Sequence, residues 1–301
     1  MAILINENTR FLIQGITGKQ GQRTCQEMLL AGSKVIAGVT PGKGGQEVEG
    51  VPVYNSIAEI SEKIDCSVIL VPPKFAKAAI LEVINANIPL INIVTENIPV
   101  HDMAYCFSKA KEKNIRIIGP TSAGINSVGK SKCGPIGSGK SKVSFTPGNI
   151  GIISRSGGMS SETSLVLKQA GLGQSTVVSI GSDILMGESF KELIQDFEKD
   201  EETKGIVLFG EIGGTAEEDL AEYLKKRSTP YPKPIVAFIS GTFVETYNIQ
   251  NVSLGHAGAI IEGDKGTRKA KVKALKEAGV LIAEVHHEVG DMMKKVLQNE
   301  L

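Results

Sequence analysis

This sequence carries no net charge: among 301 residues, 33 lysines and arginines balance 33 aspartates and glutamates. A basic surface for nucleic acid or for an anionic membrane is therefore not implied. No stretch approaches the roughly 18 consecutive apolar residues of a membrane span. The opening MAILINENTR lacks a basic segment followed by a long apolar one, so the chain reads as soluble, cytoplasmic and without a secretory leader. Cysteine is scarce. Cys25, Cys66, Cys106 and Cys133 form no C-x-x-C pair and have no histidine at ligand spacing, which argues for reduced thiols and against a zinc site. No metal site is expected.

What is present is an ordinary globular balance, 41% apolar and 22% charged, in a chain long enough for two separate cores. Short apolar runs alternate with helix-length segments. RFLIQG (10–15), KVIAGV (34–39), CSVILVP (66–72), PLINIVT (89–95) and IRIIGP (115–120) are candidate buried strands. Strand–helix alternation of this kind implies parallel strands with right-handed crossovers, a doubly wound α/β domain. A Gly/Ser/Lys-rich stretch from about 121 to 149 interrupts the pattern. It then restarts with NIGIISRSGG, QSTVVSIGS, GIVLFGEIGG, PIVAFISG and GVLIAEV. The expected division is a first α/β domain over 1–130, a connector over 131–148 and a second α/β domain over 149–301.

The connector contains GPIGSGKS (134–141), which spells the G-x-x-x-x-G-K-S pattern of phosphate-cradling loops. That pattern works only between a buried strand and a helix whose N-terminus meets the phosphates. Neither flank supplies them, and Thr146-Pro147-Gly148-Asn149 would end any helix begun at Lys140. The stretch reads as a surface connector, and phosphate handling is sought elsewhere.

Four other motifs fall where α/β folds keep their chemistry. GITGKQG places Gly15, Gly18 and Gly21 between a strand and a helix, a turn that lets a pyrophosphate approach the backbone. At the end of the second strand, VTPGKGG has Lys43 where a nicotinamide-binding domain usually has an acidic residue for the ribose. A lysine there suits an additional phosphate, as on coenzyme A or NADP. In SRSGGMSSE, Ser154, Ser156, Gly157 and Gly158 offer hydroxyl and N–H groups to an anion. Glu211, in GEIGG, ends a strand before a Gly-Gly turn. His256, in LGHAGAII, sits among small residues and can act as a base, a ligand or a phosphoryl carrier. A carboxylate beside it would fix its tautomer. His101, His286 and His287 read as surface or capping residues.

GITGKQG, GVTPGKGG, GEIGG and GHAGAII, in this order, resemble the α subunits of the succinyl-CoA synthetase family over essentially the whole chain. The resemblance implies a Rossmann-like CoA-binding domain followed by a flavodoxin-like ligase domain. It implies that His256 is phosphorylated by a nucleoside triphosphate, that the phosphoryl group passes to a carboxylic acid, and that CoA then displaces phosphate. Glu211 matches the glutamate that contacts this histidine. Thr17, Gly18, Lys19, Gln20, Lys43, Glu96, Asn97 and Ile98 match CoA-binding positions. Ser156, Gly157, Gly158 and Ser161 fall on the substrate and phosphate segment. ATP or GTP with Mg²⁺ would be held by the ATP-grasp domain of a β subunit.

The sequence departs from the succinyl-specific pattern at several points. SRSGGMSSE stands for SRSGTLTYE, so that Ser161 replaces a substrate-contacting tyrosine; GSDILMG stands for GGDPIPG and GPTSAG for GPNCPG. The lead SGTFVETYNIQNVSLGHAG lacks the usual proline–lysine segment. SRSGGMS and this lead are similar to ATP citrate lyase and citryl-CoA synthetase. Succinate is the expected acid and citrate the alternative. An NADP-dependent oxidoreductase and a non-catalytic CoA-binding regulator are the rival classes.

Overall fold

Runs of Val, Ile, Leu and Phe long enough for one strand make most of the strands in the two sheets of this protein, seen in a computed structural model that describes residues 2–139, 141–246, 256–259 and 266–299. The first sheet contains β1 (Arg10–Gln14), β2 (Lys34–Val39), β3 (Glu47–Val48), β4 (Val51–Tyr54), β5 (Cys66–Ile69), β6 (Leu90–Ile93) and β7 (Arg116–Ile118). Its order is β3-β4-β2-β1-β5-β6-β7. All pairings are parallel except that of β3 with β4. Leaving β3 aside, this is the 3-2-1-4-5-6 order of dinucleotide-binding folds, whose direction reverses between β1 and β5. Helices α1 (Lys19–Leu30), α2 (Pro73–Asn85) and α3 (Val100–Glu112) cross over the sheet. The register aligns Gln14 with Val39 on one side and with Ile69 on the other, so three strand ends open together.

The second sheet contains β8 (Gly124–Ser127), β9 (Ser131–Cys133), β10 (Pro147–Ser154), β11 (Gln174–Ser179), β12 (Gly205–Gly210), β13 (Ile235–Ile239) and β14 (Leu281–Ile282). The order is β14-β13-β12-β10-β11-β8-β9. Its five parallel strands follow the 2-1-3-4-5 flavodoxin-like order, with the switch point between β10 and β12. The helices are α4 (Ser141–Ser144), α5 (Gly157–Gln169), α6 (Phe190–Lys199), α7 (Ala216–Lys225), α8 (Thr242–Thr246), α9 (Arg268–Glu277) and α10 (Glu288–Leu297). Ser156 caps α5, Thr267 caps α9, and Ser189 with Glu192 forms a capping box on α6, each satisfying N–H groups that a helix start leaves open.

The stretch expected to be partly first domain and partly connector has a different role. β8 and β9 form an antiparallel hairpin on the edge of the second sheet, with β8 pairing to β11. Their sequences, GINS and SKC, contain one β-branched residue between them, so the strand signal is absent. Tertiary pairing supplies what propensity does not. The GPIGSGKS segment is likewise no solvated connector: Ile136 within it is fully buried, and Phe145, just beyond it, nearly so. Antiparallel β9 precedes the segment and four-residue α4 follows it, the context a phosphate loop lacks; Lys140 lies outside the described residues.

The hairpin also joins the domains. Ser33 Oγ donates to the Lys132 carbonyl at 2.7 Å, Lys132 Nζ reaches Glu27 at 3.0 Å, and Glu27 also accepts from Ser138. Cys66 of β5 lies 3.6 Å from Cys133 of β9, both as buried thiols. Farther along, Arg116 of β7 pairs with Glu188 and with Asp196 of α6. No described helix is long and apolar enough to cross a membrane. Phe197 of α6, fully buried against β10, tests the second core: Phe197→Ala is expected to lose about 3–5 kcal/mol, read as a lower urea midpoint at near-constant slope.

Candidate active site

The sheet's reversal in the first domain leaves a cleft of about 1060 Å³ at the strand ends. Thr17, Gly18, Lys19 and Gln20 line it from the β1–α1 turn, and Glu96 and Asn97 from the segment after β6. No side chain caps α1 at Gly18, so its first N–H groups remain available to an anion. Gly21 is required by packing: a Cβ there would lie 2.2 Å from the Gly15 carbonyl oxygen. Two expected CoA-binding residues lie elsewhere. Lys43 stands exposed on the turn after Thr40, beside the cleft and not in its wall, and Ile98 is buried in the first domain's core.

A second cavity of about 390 Å³ lies between the domains. Its walls include Thr121 and Ser122, the α5 start at Ser156, Gly157 and Gly158, then Asp183 and His256. Gln20, Val94, Glu96 and Asn97 line both cavities, so the two lie side by side across the same four residues. Ser156 Oγ accepts from the Met159 N–H at 3.4 Å, which fixes the turn, while a Cβ at Gly158 would meet open space. The partial positive charge of a helix start therefore faces the cavity. Ser161, expected at the substrate, is buried within α5 and is not part of the wall.

His256 sits on this wall because the β12 end presents Glu211 to it. Its Nδ1 is in close hydrogen bond with Glu211 Oε2. Glu211 Oε1 accepts from Arg155 Nε at 3.2 Å and Nη2 at 3.1 Å. Arg155 and Glu211 are 2% and 5% exposed; at that depth a charge without a partner is strongly disfavoured. An ionised carboxylate only accepts, so the proton of the neutral ring is on Nδ1 and Nε2 keeps its lone pair. The hydrogen bond to Glu211 holds the His256 pKa above its ordinary value; burial and Arg155 pull it down, and Glu96, across the cavity, pushes it up.

The His256 loop is seated by Gly258. Its N–H donates to the Ser182 carbonyl at 2.9 Å, and a Cβ in its place would lie 2.6 Å from Arg155 Nη2 and 2.7 Å from the Asp183 carbonyl oxygen. Gly255, Ile260, Ile261 and the lead over 247–255 lie outside the described residues. Sequence reasoning missed Arg155, although its place between two serines at a strand end, opposite the Glu211 strand, is a usable signal. It also misplaced His286. That ring is half-buried, bonded to Thr163 Oγ1 at 2.9 Å and set edge-on to Phe209 and Phe238; desolvation lowers its pKa. Among the described residues no group of three or more His, Cys, Asp or Glu side chains could hold a metal ion.

The architecture is that of a CoA ligase chain: residues 6–97 match the family described as CoA binding domain, and residues 153–281 that described as CoA-ligase. The chain is 46% identical over 300 residues to succinate–CoA ligase [ADP-forming] subunit alpha 1 of Archaeoglobus fulgidus, covering 99% of each. It is 43% identical to the corresponding alpha subunit of Aquifex aeolicus, covering 99% of this chain and 95% of that one. It also resembles a solved structure of Methanosaeta concilii ATP citrate lyase in complex with (3S)-citryl-CoA, with a TM-score of 0.89 and 25% identity; 99% of this chain matches 51% of that one, so it spans about half of that protein. The chain belongs to the succinate–CoA ligase alpha-subunit family.

Gly258→Ala tests the seating of the histidine loop. The added methyl group is expected to separate His256 from Glu211 and move the His256 titration midpoint, followed by NMR of the ring nitrogens, down toward about 6.5.

Proposed function

We propose that the chain is the α subunit of a nucleoside-triphosphate-dependent acid–CoA ligase of the succinate–CoA ligase type, active with a β subunit. The observation that carries this reading is the His256 ring, clamped through Nδ1 by a buried carboxylate, on a cavity that shares Gln20, Val94, Glu96 and Asn97 with the cleft of the first domain. The nucleotide, ATP or GTP with Mg²⁺, belongs to an ATP-grasp domain of the partner. The cleft residues Thr17, Gly18, Lys19 and Gln20 fit the phosphate groups of CoA through an uncapped helix start.

The geometry performs the reaction in three displacements. His256 Nε2 attacks the terminal phosphorus, the bond to the nucleoside diphosphate breaks, and the ring becomes a phosphorylated imidazolium. Glu211 opposes that positive charge, while the start of α5 at Ser156, Gly157 and Gly158 receives the phosphoryl oxygens. A carboxylate oxygen of the acid then attacks phosphorus and His256 departs neutral. Finally the thiol attacks the acyl carbon and inorganic phosphate leaves, giving the thioester. Each step has a lower barrier than direct condensation. Because His256 must visit a nucleotide on the partner and an acid here, its loop has to swing.

Labelling decides the reading. With the β subunit and γ-labelled ATP, this chain is expected to take up acid-labile label, none of which forms in His256→Ala. Succinate with CoA is expected to discharge it. Discharge by citrate alone would replace the succinate reading with a citryl-CoA one, which the Thr121, Gly158 and Asp183 segments on the cavity wall would then explain.

The pH dependence follows from the Glu211 contact. Only the neutral ring attacks, and its pKa is raised, so the labelling rate should climb with pH through a midpoint above 6.5. In Glu211→Gln the midpoint should fall toward 6.5, and the plateau rate should drop on the order of 10²-fold, because the imidazolium loses its counter-charge.

Lys43 has a separate readout. If it reaches the extra phosphate of CoA, Lys43→Ala should raise the KM for CoA about 10-fold, the worth of one charge-assisted hydrogen bond. It should leave the KM for dephospho-CoA unchanged.

A further inference from the structure

Below the Glu211 strand end lies a second pair of buried charges for which the reaction above has no use. Lys271 of α9 is fully buried and Glu217 of α7 is 1% exposed. The Lys271 ammonium is in close contact with Glu217 Oε2, donates to the Gly213 carbonyl at 2.7 Å, and lies 3.8 Å from Glu218 Oε2. The other oxygen of Glu217 accepts the backbone N–H of Glu211 at 3.1 Å. One ion pair thus holds both ends of the Glu211–Gly213 turn, the donor at its start and the acceptor at its close.

Three observations separate this from generic core stabilisation. First, the carboxylate packs directly on the strand end: a Cβ at Gly210, the last residue of β12, would lie 2.6 Å from Glu217 Oε1, and as close to Ile239 Cδ1. Second, the same turn is tied to the start of the next described segment after the histidine, through the Gly213 N–H donating to the Gly266 carbonyl at 2.7 Å. Gly266 precedes the Thr267 cap of the helix that carries Lys271. Third, two desolvated charges usually stabilise a fold no better than apolar side chains of the same volume. An apolar pair, however, could offer nothing to the Glu211 N–H or the Gly213 carbonyl, and either group left unpaired would be disfavoured.

We infer that Lys271 and Glu217 are positioning residues for the phosphoryl-accepting histidine, acting through the backbone of Glu211 to hold its carboxylate against His256. This rests on the phosphohistidine reading for its consequence, though the geometry itself does not. Among the described residues the charged groups that act on His256 are Glu211 and Arg155 from the second domain and Glu96 from the first, with Asp183 on the same cavity wall; those facing Lys271 are Glu217 and Glu218. Displacing Glu211 removes the main influence that raises the His256 pKa, so the ring should titrate lower and accept the phosphoryl group more slowly, since misplacement of about 1 Å can lower a rate 10²-fold.

The test compares two double variants, because Lys271→Met alone leaves Glu217 buried without a partner and can fail to fold. Lys271→Met/Glu217→Met removes both charges and the acceptor. Lys271→Met/Glu217→Gln removes both charges but keeps an amide oxygen for the Glu211 N–H. Each is assembled with the β subunit, and three quantities are read: the His256 titration midpoint by NMR, the rate of labelling from γ-labelled ATP, and the KM for CoA. The Met/Met protein is expected to fold, to show a midpoint shifted toward about 6.5 and labelling slowed on the order of 10²-fold, with the KM for CoA unchanged. The Met/Gln protein should recover most of both. A folded Met/Met protein with the wild-type midpoint and rate would overturn the proposal, as would equal losses in the two variants. The titration needs no phosphorylation, so failure of the wild-type chain to label would sink the phosphohistidine reading while leaving this measurement to judge the positioning role.

Discussion

The buried carboxylate of Glu211 is the constraint around which the second domain is organised. It lies at the switch point of a parallel sheet, where β10 and β12 diverge and strand ends are free to present side chains. Arg155 comes from one of these strands and Glu211 from the other. Ser154 pairs with Phe209 in register, so the next residues out, Arg155 and then Glu211, meet just beyond the ladder. Burying either alone would leave an uncompensated charge. Together they form a rigid base with one carboxylate oxygen left for a third group, and the histidine loop supplies it.

The division of labour between the domains follows from their two strand orders. Each sheet reverses direction once, and each reversal opens a cleft at the carboxyl ends of its strands. The hairpin of β8 and β9 brings the clefts together by lying on the second sheet while gripping α1 of the first through Lys132 and Glu27. The shared wall of Gln20, Val94, Glu96 and Asn97 is the outcome. Glu96 illustrates the coupling: it belongs to the CoA-binding domain, yet its charge acts on His256.

Much of this was legible beforehand, and the reasons differ by element. The ten apolar runs all correspond to strands because a strand buried on both faces needs continuous β-branched or aliphatic residues. β8 and β9 escaped notice because an edge hairpin clamped between domains draws its stability from partners distant in sequence. Lys43 and Ile98 were assigned by motif position alone, and motif position does not say that Lys43 stands on an exposed turn beside the cleft or that Ile98 packs in the first domain's core. His286 looked like a surface residue because nothing local reveals that Phe209 and Phe238 come to rest against its ring. Arg155 was passed over because its partner is 56 residues away.

The sequence by itself determined the strand–helix alternation, the α/β class and the presence of His256 and Glu211 in glycine-bracketed turns, because hydrophobic periodicity and backbone permissiveness are local properties. Only the tertiary structure decided that Arg155, Glu211 and His256 form one linked set, that Lys271 and Glu217 brace it from below, and that the second cavity shares four of its lining residues with the first. Those facts depend on which strand ends become neighbours when the sheet closes, and adjacency in a sheet is fixed by the packing of the whole chain.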